Sequence, residues 1–126
     1  MKRDMELVRK ILLFLEDDKR EYYDGEDSRY SLICIEGYSE EEIDYHLEIM
    51  RGGDIIQGEL PGGDGRIITH SGVGLNWKGH DFIKTFGNEG YWNGTKKYIK
   101  DKGLEVANVP FDLLIETGRS YIRNLL

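Results

Sequence analysis

The chain has 126 residues, 39% of them hydrophobic and 33% charged, with a net charge of −7, one cysteine and three histidines. That length fits one domain with its own core and no need of disulfides, and the apolar content excludes a disordered chain. A lone cysteine excludes an internal disulfide. The charge is unevenly placed: residues 1–63 carry 17 acidic and 8 basic side chains, residues 64–126 carry 7 and 9. An acidic front half disfavours phosphate contacts there, since each wants a Lys or Arg.

The opening Met1-Lys2-Arg3-Asp4-Met5-Glu6 leads into an apolar run broken by charges, which reads as neither a signal peptide nor a membrane span. A cytoplasmic protein with no membrane partner is expected. The first helix is predicted from about Asp4 to Asp18, capped by Asp4, with Leu7, Val8, Ile11, Leu12, Phe14 and Leu15 on one apolar face. Asp17 to Arg29 is polar and reads as a surface loop or a poorly ordered stretch. Tyr30 to Ile35 is short, apolar and partly β-branched, which predicts a strand with Cys34 buried as a small hydrophobe.

The second helix has the clearest start signal. Ser39 and Glu42 form an S-x-x-E capping box, and Tyr38 and Ile43 stand at the positions of a hydrophobic staple. Ile43, Leu47 and Met50 form its inward face, and Gly52 or Gly53 is expected to end it in a left-handed conformation. Asp54–Gly58 and Arg66–His70 then read as two strands around the turn-rich tip Leu60–Gly65, a β-hairpin. A third helix is predicted over Trp77–Phe86 with Asn76 as its cap and Trp77, Phe82, Ile83 and Phe86 buried. A fourth runs from about Tyr91 to Lys102, with Trp92, Tyr98 and Ile99 inward and a stop at Gly103. The last starts at Pro110, a favoured first helical position, with Gly118 weakening it by roughly 1 kcal/mol.

Several stretches carry a resemblance: Met1 to Leu12, Tyr45-His46-Leu47, and Leu75-Asn76-Trp77-Lys78-Gly79-His80-Asp81-Phe82 with Trp92 and Lys96 downstream. Together the chain resembles the domain of unknown function 2513 family, uncharacterised proteins of bacteria and their phages. The resemblance implies a winged-helix-like core and a prophage setting, and carries over no catalytic or binding residue. The chain departs from the family pattern at Met50-Arg51-Gly52-Gly53-Asp54-Ile55, where Asp54 stands in the helix-to-wing turn.

Catalytic chemistry finds little support. His46, His70 and His80 have no i, i+4 partner, and a zinc site needs about four converging ligands, so they read as polar residues at the core margin. Pro61-Gly62-Gly63-Asp64-Gly65 lacks the phosphate-loop spacing, and Ser71 and Ser120 lack a nucleophile-elbow context. No cofactor, metal or catalytic residue is expected. Two surfaces remain. Glu40, Glu41, Asp44, Tyr45 and Glu48 line the outer face of the capped helix and are the candidate protein-binding residues. Arg66, Lys96, Lys97, Lys100 and Lys102 are the candidate nucleic-acid-binding residues of the alternative.

The sequence therefore predicts an α+β chain: a winged helix-turn-helix-like core (helix, short strand, helix, β-hairpin wing) over about residues 1–87, extended by C-terminal helices over about 88–126, in a single domain. Its expected function is a non-enzymatic protein-interaction module of phage or prophage type, an inhibitor or adaptor whose acidic helix meets a protein partner with a basic surface. The alternative is a winged-helix transcriptional regulator that binds DNA through the wing and the Lys96–Lys102 helix. In such a regulator the second helix would enter the major groove, where four carboxylates repel the polyanion, so DNA is the disfavoured partner. The apolar terminal helices leave room for a homodimer.

Overall fold

The computed structural model describes residues 1–17, 32–63, 66–67 and 69–126, Arg66 by its backbone alone. The 17–29 loop beyond Asp17, the Tyr30–Ser31 half of the expected strand and the Asp64–Gly65 tip lie outside the described residues. The protein is α+β and mostly helical. Its elements are α1 (Met5–Asp17), α2 (Glu40–Gly52), β1 (Ile56–Gln57), β2 (Gly62–Gly63), β3 (Arg66–Ile67), β4 (Gly74–Leu75), α3 (Trp77–Phe86), α4 (Glu89–Asp101), a 3₁₀ turn over Val106–Asn108, and α5 (Phe111–Leu125). The chain divides into two compact units, Met1–Gly79 and His80–Leu126, with the division inside α3.

In the first unit, α1 starts where Asp4 is placed to cap it: the carboxylate accepts the amides of Glu6 at 2.9 Å and Leu7 at 3.3 Å. Leu7, Val8, Ile11, Leu12 and Leu15 are buried together with Ile43, Leu47 and Met50 of α2. The capping box of α2 is closed in both directions: the Glu42 amide donates to Ser39 Oγ, and the Ser39 amide donates to the Glu42 carboxylate, both at 3.1 Å. Neither Gly52 nor Gly53 takes the left-handed conformation at its end. Asp54 does, at φ 59°. The Asp54 amide donates to Arg51 O at 3.1 Å and the Ile55 amide to Met50 O at 2.9 Å, the bond pair of a Schellman motif. The reason is register: the left-handed residue must follow Gly53, and aspartate tolerates that region better than most side chains.

The hairpin is paired differently from the expectation. Residues 56–57 pair antiparallel with 74–75, not with 66–70, and a separate two-residue ladder joins Gly62–Gly63 to Arg66–Ile67. Gly58, at φ 113°, brings the arm so close to Gly72 that a Cβ there would collide with the Gly72 carbonyl. The expected strand before α2 is also absent among its described residues, 32–35. The Ile33 amide donates to His70 Nδ1 at 2.8 Å instead of to a neighbouring strand. The alternation along this extended segment buries Ile33 and turns Cys34 outward, so Cys34 is exposed rather than buried.

In the second unit the residues expected from the sequence form an aromatic cluster. Phe82, Phe86 and Trp92 are essentially inaccessible to solvent, with ring centroids 5.0 Å apart for Phe82–Phe86 and 5.1 Å for Phe86–Trp92. Helix α4 begins two residues earlier than expected because Asn88 caps it, accepting the Tyr91 amide at 3.0 Å. Gly103 ends that region at φ 80°. Tyr98, expected inward, is 47% exposed. Its position on α4 lies off the stripe that holds Trp92, Thr95 and Ile99. No described helix is long and apolar enough to cross a membrane.

Candidate interaction surface

Helix α2 is held from below by two buried histidines. His46 is 1% and His70 3% exposed. His46 Nε2 accepts the Asp4 amide at 2.8 Å, so its Nδ1 carries the proton and donates to Glu42 O at 2.7 Å. His70 is the mirror case. Its Nδ1 accepts the Ile33 amide at 2.8 Å, so Nε2 carries the proton and donates to the Asp44 carboxylate at 2.8 Å. Each ring thus joins α2 to a chain segment that no ladder holds. An aspartate on an imidazole has the look of a catalytic dyad, but here the far nitrogen is occupied by a backbone amide. The pair can orient a loop, and it presents no free lone pair to a substrate. His80 is exposed on α3. Among the described residues no group of three or more His, Cys, Asp or Glu side chains is placed to hold a metal ion.

These ties fix which side of α2 meets water. Glu40, Glu41 and Glu48 are exposed, Tyr45 is half-buried, and Asp44 is taken by His70 at the edge of the core. The structure therefore brings the five sequence-derived residues to one side of α2 but leaves three of them as a solvent-facing acidic group. Part of this acidity serves the helix itself: Glu40, Glu41 and Glu42 fill its first turn, where the amide dipole favours anions. Glu48, about two turns along, has no such role. Over the unit 1–79 there are 18 acidic and 10 basic side chains.

The lysines of the alternative site are less available than their number implies. Lys96 lies over the Trp92 ring at 5.2 Å, and Lys102 over Tyr98 at 5.5 Å. Lys97 faces Asp101 at 3.5 Å in an exposed i, i+4 pair, worth only a few tenths of a kcal/mol. Lys96, Lys97 and Lys100 share one side of α4, and Lys102 caps its end. The Arg66 side chain lies outside the described residues.

One feature of the surface was not anticipated. Trp77, expected in the core, is 79% exposed. The signal was present in the sequence: at 100° per residue Trp77 stands roughly opposite the Phe82–Ile83–Phe86 stripe of its helix. The apolar character of tryptophan outweighed its phase. The Trp77 amide donates to Asn76 Oδ1 at 2.8 Å, which sets it as the first residue of α3. In the same unit, Cys34 lines a shallow cleft with Lys10, Leu13, Phe14, Asp17, Ile35 and Glu36.

The arrangement is that of a mostly helical α+β protein with a small antiparallel sheet and an acidic helix held on its surface. Residues 2–105 match the family described as Hypothetical protein (DUF2513), and the chain belongs to that family. It is similar to a protein of Haemophilus influenzae described as an uncharacterized protein, with 26% identity over 136 positions covering 100% of this chain and 99% of the relative. No solved structure matches the chain.

Proposed function

We propose that this protein is a non-enzymatic interaction module of phage or prophage type that presents the outer face of α2 to a protein partner with a basic surface. The observation that carries the reading is the solvent-facing group Glu40, Glu41 and Glu48 on a helix anchored by two buried histidines. A rigid acidic face speeds encounter with a basic partner and selects against acidic ones. The finer architecture we propose is winged-helix-like, with α2 in the place of a recognition helix and the β1–β4 arm as the wing. In that frame the acidic face stands where a DNA reader presents Arg, Lys, Asn or Gln. The setting we propose is the cytoplasm.

The test is calorimetric titration of a lysine- and arginine-rich peptide into the wild-type chain and into the Glu40→Gln/Glu41→Gln/Glu48→Gln variant, at low and physiological salt. Wild-type binding that weakens on neutralising these three residues supports the reading. Equal binding by both overturns it.

A second reading rests on the shared side of Lys96, Lys97 and Lys100 on α4. A winged-helix regulator would grip DNA phosphates there, with Lys102 at the helix end. The ring and carboxylate partners of Lys96, Lys97 and Lys102 make it the weaker of the two.

A further inference from the structure

Helix α3 begins beside the end of α2. The Asn76 amide donates to Ile55 O at 3.2 Å, extending the pairing of Ile56 with Leu75 by one step. The residues immediately outside that bond are Asp54, in the left-handed turn after α2, and Trp77, the first residue of α3. Both are exposed.

Each is unusual on its own. Asp54 occupies the left-handed position of the Schellman motif, where glycine is the common residue. The turn itself does not require a carboxylate, since glycine serves it at least as well. Trp77 leaves nearly four-fifths of its surface in water, although tryptophan is the strongest of the aromatic side chains in attracting cations. Among the described residues three other rings carry a lysine of their own: Tyr38 has Lys10 at 5.3 Å, Trp92 has Lys96 and Tyr98 has Lys102. Among the described residues Trp77 has no such cation and Asp54 no ion pair.

We propose that Trp77 and Asp54 form the receptor for a cationic side chain, an arginine above all, on a basic polypeptide partner. The planar guanidinium stacks on the indole face while its N–H groups donate to the carboxylate, a combination that lysine matches less well. Exposed tryptophan and partner arginine are also the residue types that most often dominate interface energies. The proposal rests on the protein-interaction reading above and supplies its anchor: the acidic α2 face attracts the partner, and the Trp77–Asp54 corner holds it. Charge complementarity selects this occupant, since the unit around the corner has 18 acidic against 10 basic side chains.

The experiment is a titration of ¹⁵N-labelled protein with an arginine-rich peptide and its lysine analogue, following the Trp77 indole N–H, with affinities from calorimetry. The expected result is a shift of the Trp77 indole, a preference for the arginine peptide, and binding weakened about 5- to 30-fold in Trp77→Ala but little changed in Trp77→Phe. Asp54→Gly supplies a second readout, because it should raise the melting temperature while weakening binding. A structural role alone would not separate these two effects. If Trp77→Ala and Asp54→Gly bind like the wild type while the triple Glu→Gln variant is weakened, the corner is not the anchor and the acidic-face reading stands. If no variant, the wild type included, binds either peptide, both proposals fall. A Trp77 shift produced by single-stranded oligothymidine and not by the peptides would make the indole a base-stacking platform and overturn this one.

Discussion

Replacing Gly118 by alanine sets two effects of opposite sign against each other. By helix propensity alone the change should stabilise α5 by about 1 kcal/mol. The packing opposes it. A Cβ on Gly118 would overlap the tip of the Phe86 ring and lie 2.9 Å from Thr85 Cγ2, where carbon atoms prefer about 3.5–4.0 Å. The ring cannot easily retreat: Phe86 is fully buried, with Phe82 and Trp92 against it. Inserting a methyl group into such a site costs about 1–3 kcal/mol, and the full burial of Phe86 places it in the upper part of that range. The net expectation is a loss of about 1–2 kcal/mol after the propensity gain, or roughly 4–8 °C in melting temperature for a chain of this size. Thermal and urea unfolding with an unchanged urea slope would report it. Ser120→Ala, on the exposed side of the same helix, is the control and should be neutral or slightly stabilising. A Gly118→Ala protein that melts higher than the wild type would refute the close packing of α5 on Phe86.

Other consequences follow from the first unit. Ser39→Ala should cost about 1 kcal/mol in urea unfolding, since it opens the capping box of α2. Heteronuclear NMR of the folded protein should find His46 protonated on Nδ1 and His70 on Nε2, and His46→Ala should cost about 1–3 kcal/mol by leaving the Asp4 amide without its acceptor. Burial, and after it the Asp4 carboxylate, raises the Tyr38 phenol above its ordinary value of 10.0. The folded state therefore favours the protonated phenol, a contribution fully present below pH 10 and lost as pH rises through the raised value. Ultraviolet titration should show one tyrosinate appearing late, and Asp4→Asn should bring it earlier.

What the sequence made legible were features whose causes are local. The Ser39–Glu42 box, the Asn76 start and Phe86 end of α3 and the turn at Gly103 all depend on a few adjacent residues, and the structure has them where expected, while Pro110, expected as the first helical residue of α5, stands one position earlier as its N-cap. Pairing over distance was not legible. That residues 56–57 meet 74–75 depends on the close approach of Gly58 to Gly72, which no local pattern reports. Leu32–Ile35 has strand composition, but the Ile33 amide finds an imidazole 37 positions away. At the candidate surface the exposed glutamates of α2 were readable from helical phase. Trp77 was readable by the same phase and was missed by treating its apolarity as burial, and Asp54 marked itself only as a departure from the family pattern. That His70 would take up Asp44 required the fold.

The proposed function has the acidic α2 face receive a basic protein rather than DNA. Its most direct test is fluorescence anisotropy of mixed-sequence duplex DNA titrated with the protein at low and physiological salt, the arginine-rich peptide serving as the parallel ligand. The expected result is that the peptide binds and loses affinity in the Glu40→Gln/Glu41→Gln/Glu48→Gln variant, while the duplex shows no binding at either salt. Duplex binding that falls steeply with salt and disappears in Lys96→Glu/Lys97→Glu/Lys100→Glu would contradict it and make the α4 lysines the working surface.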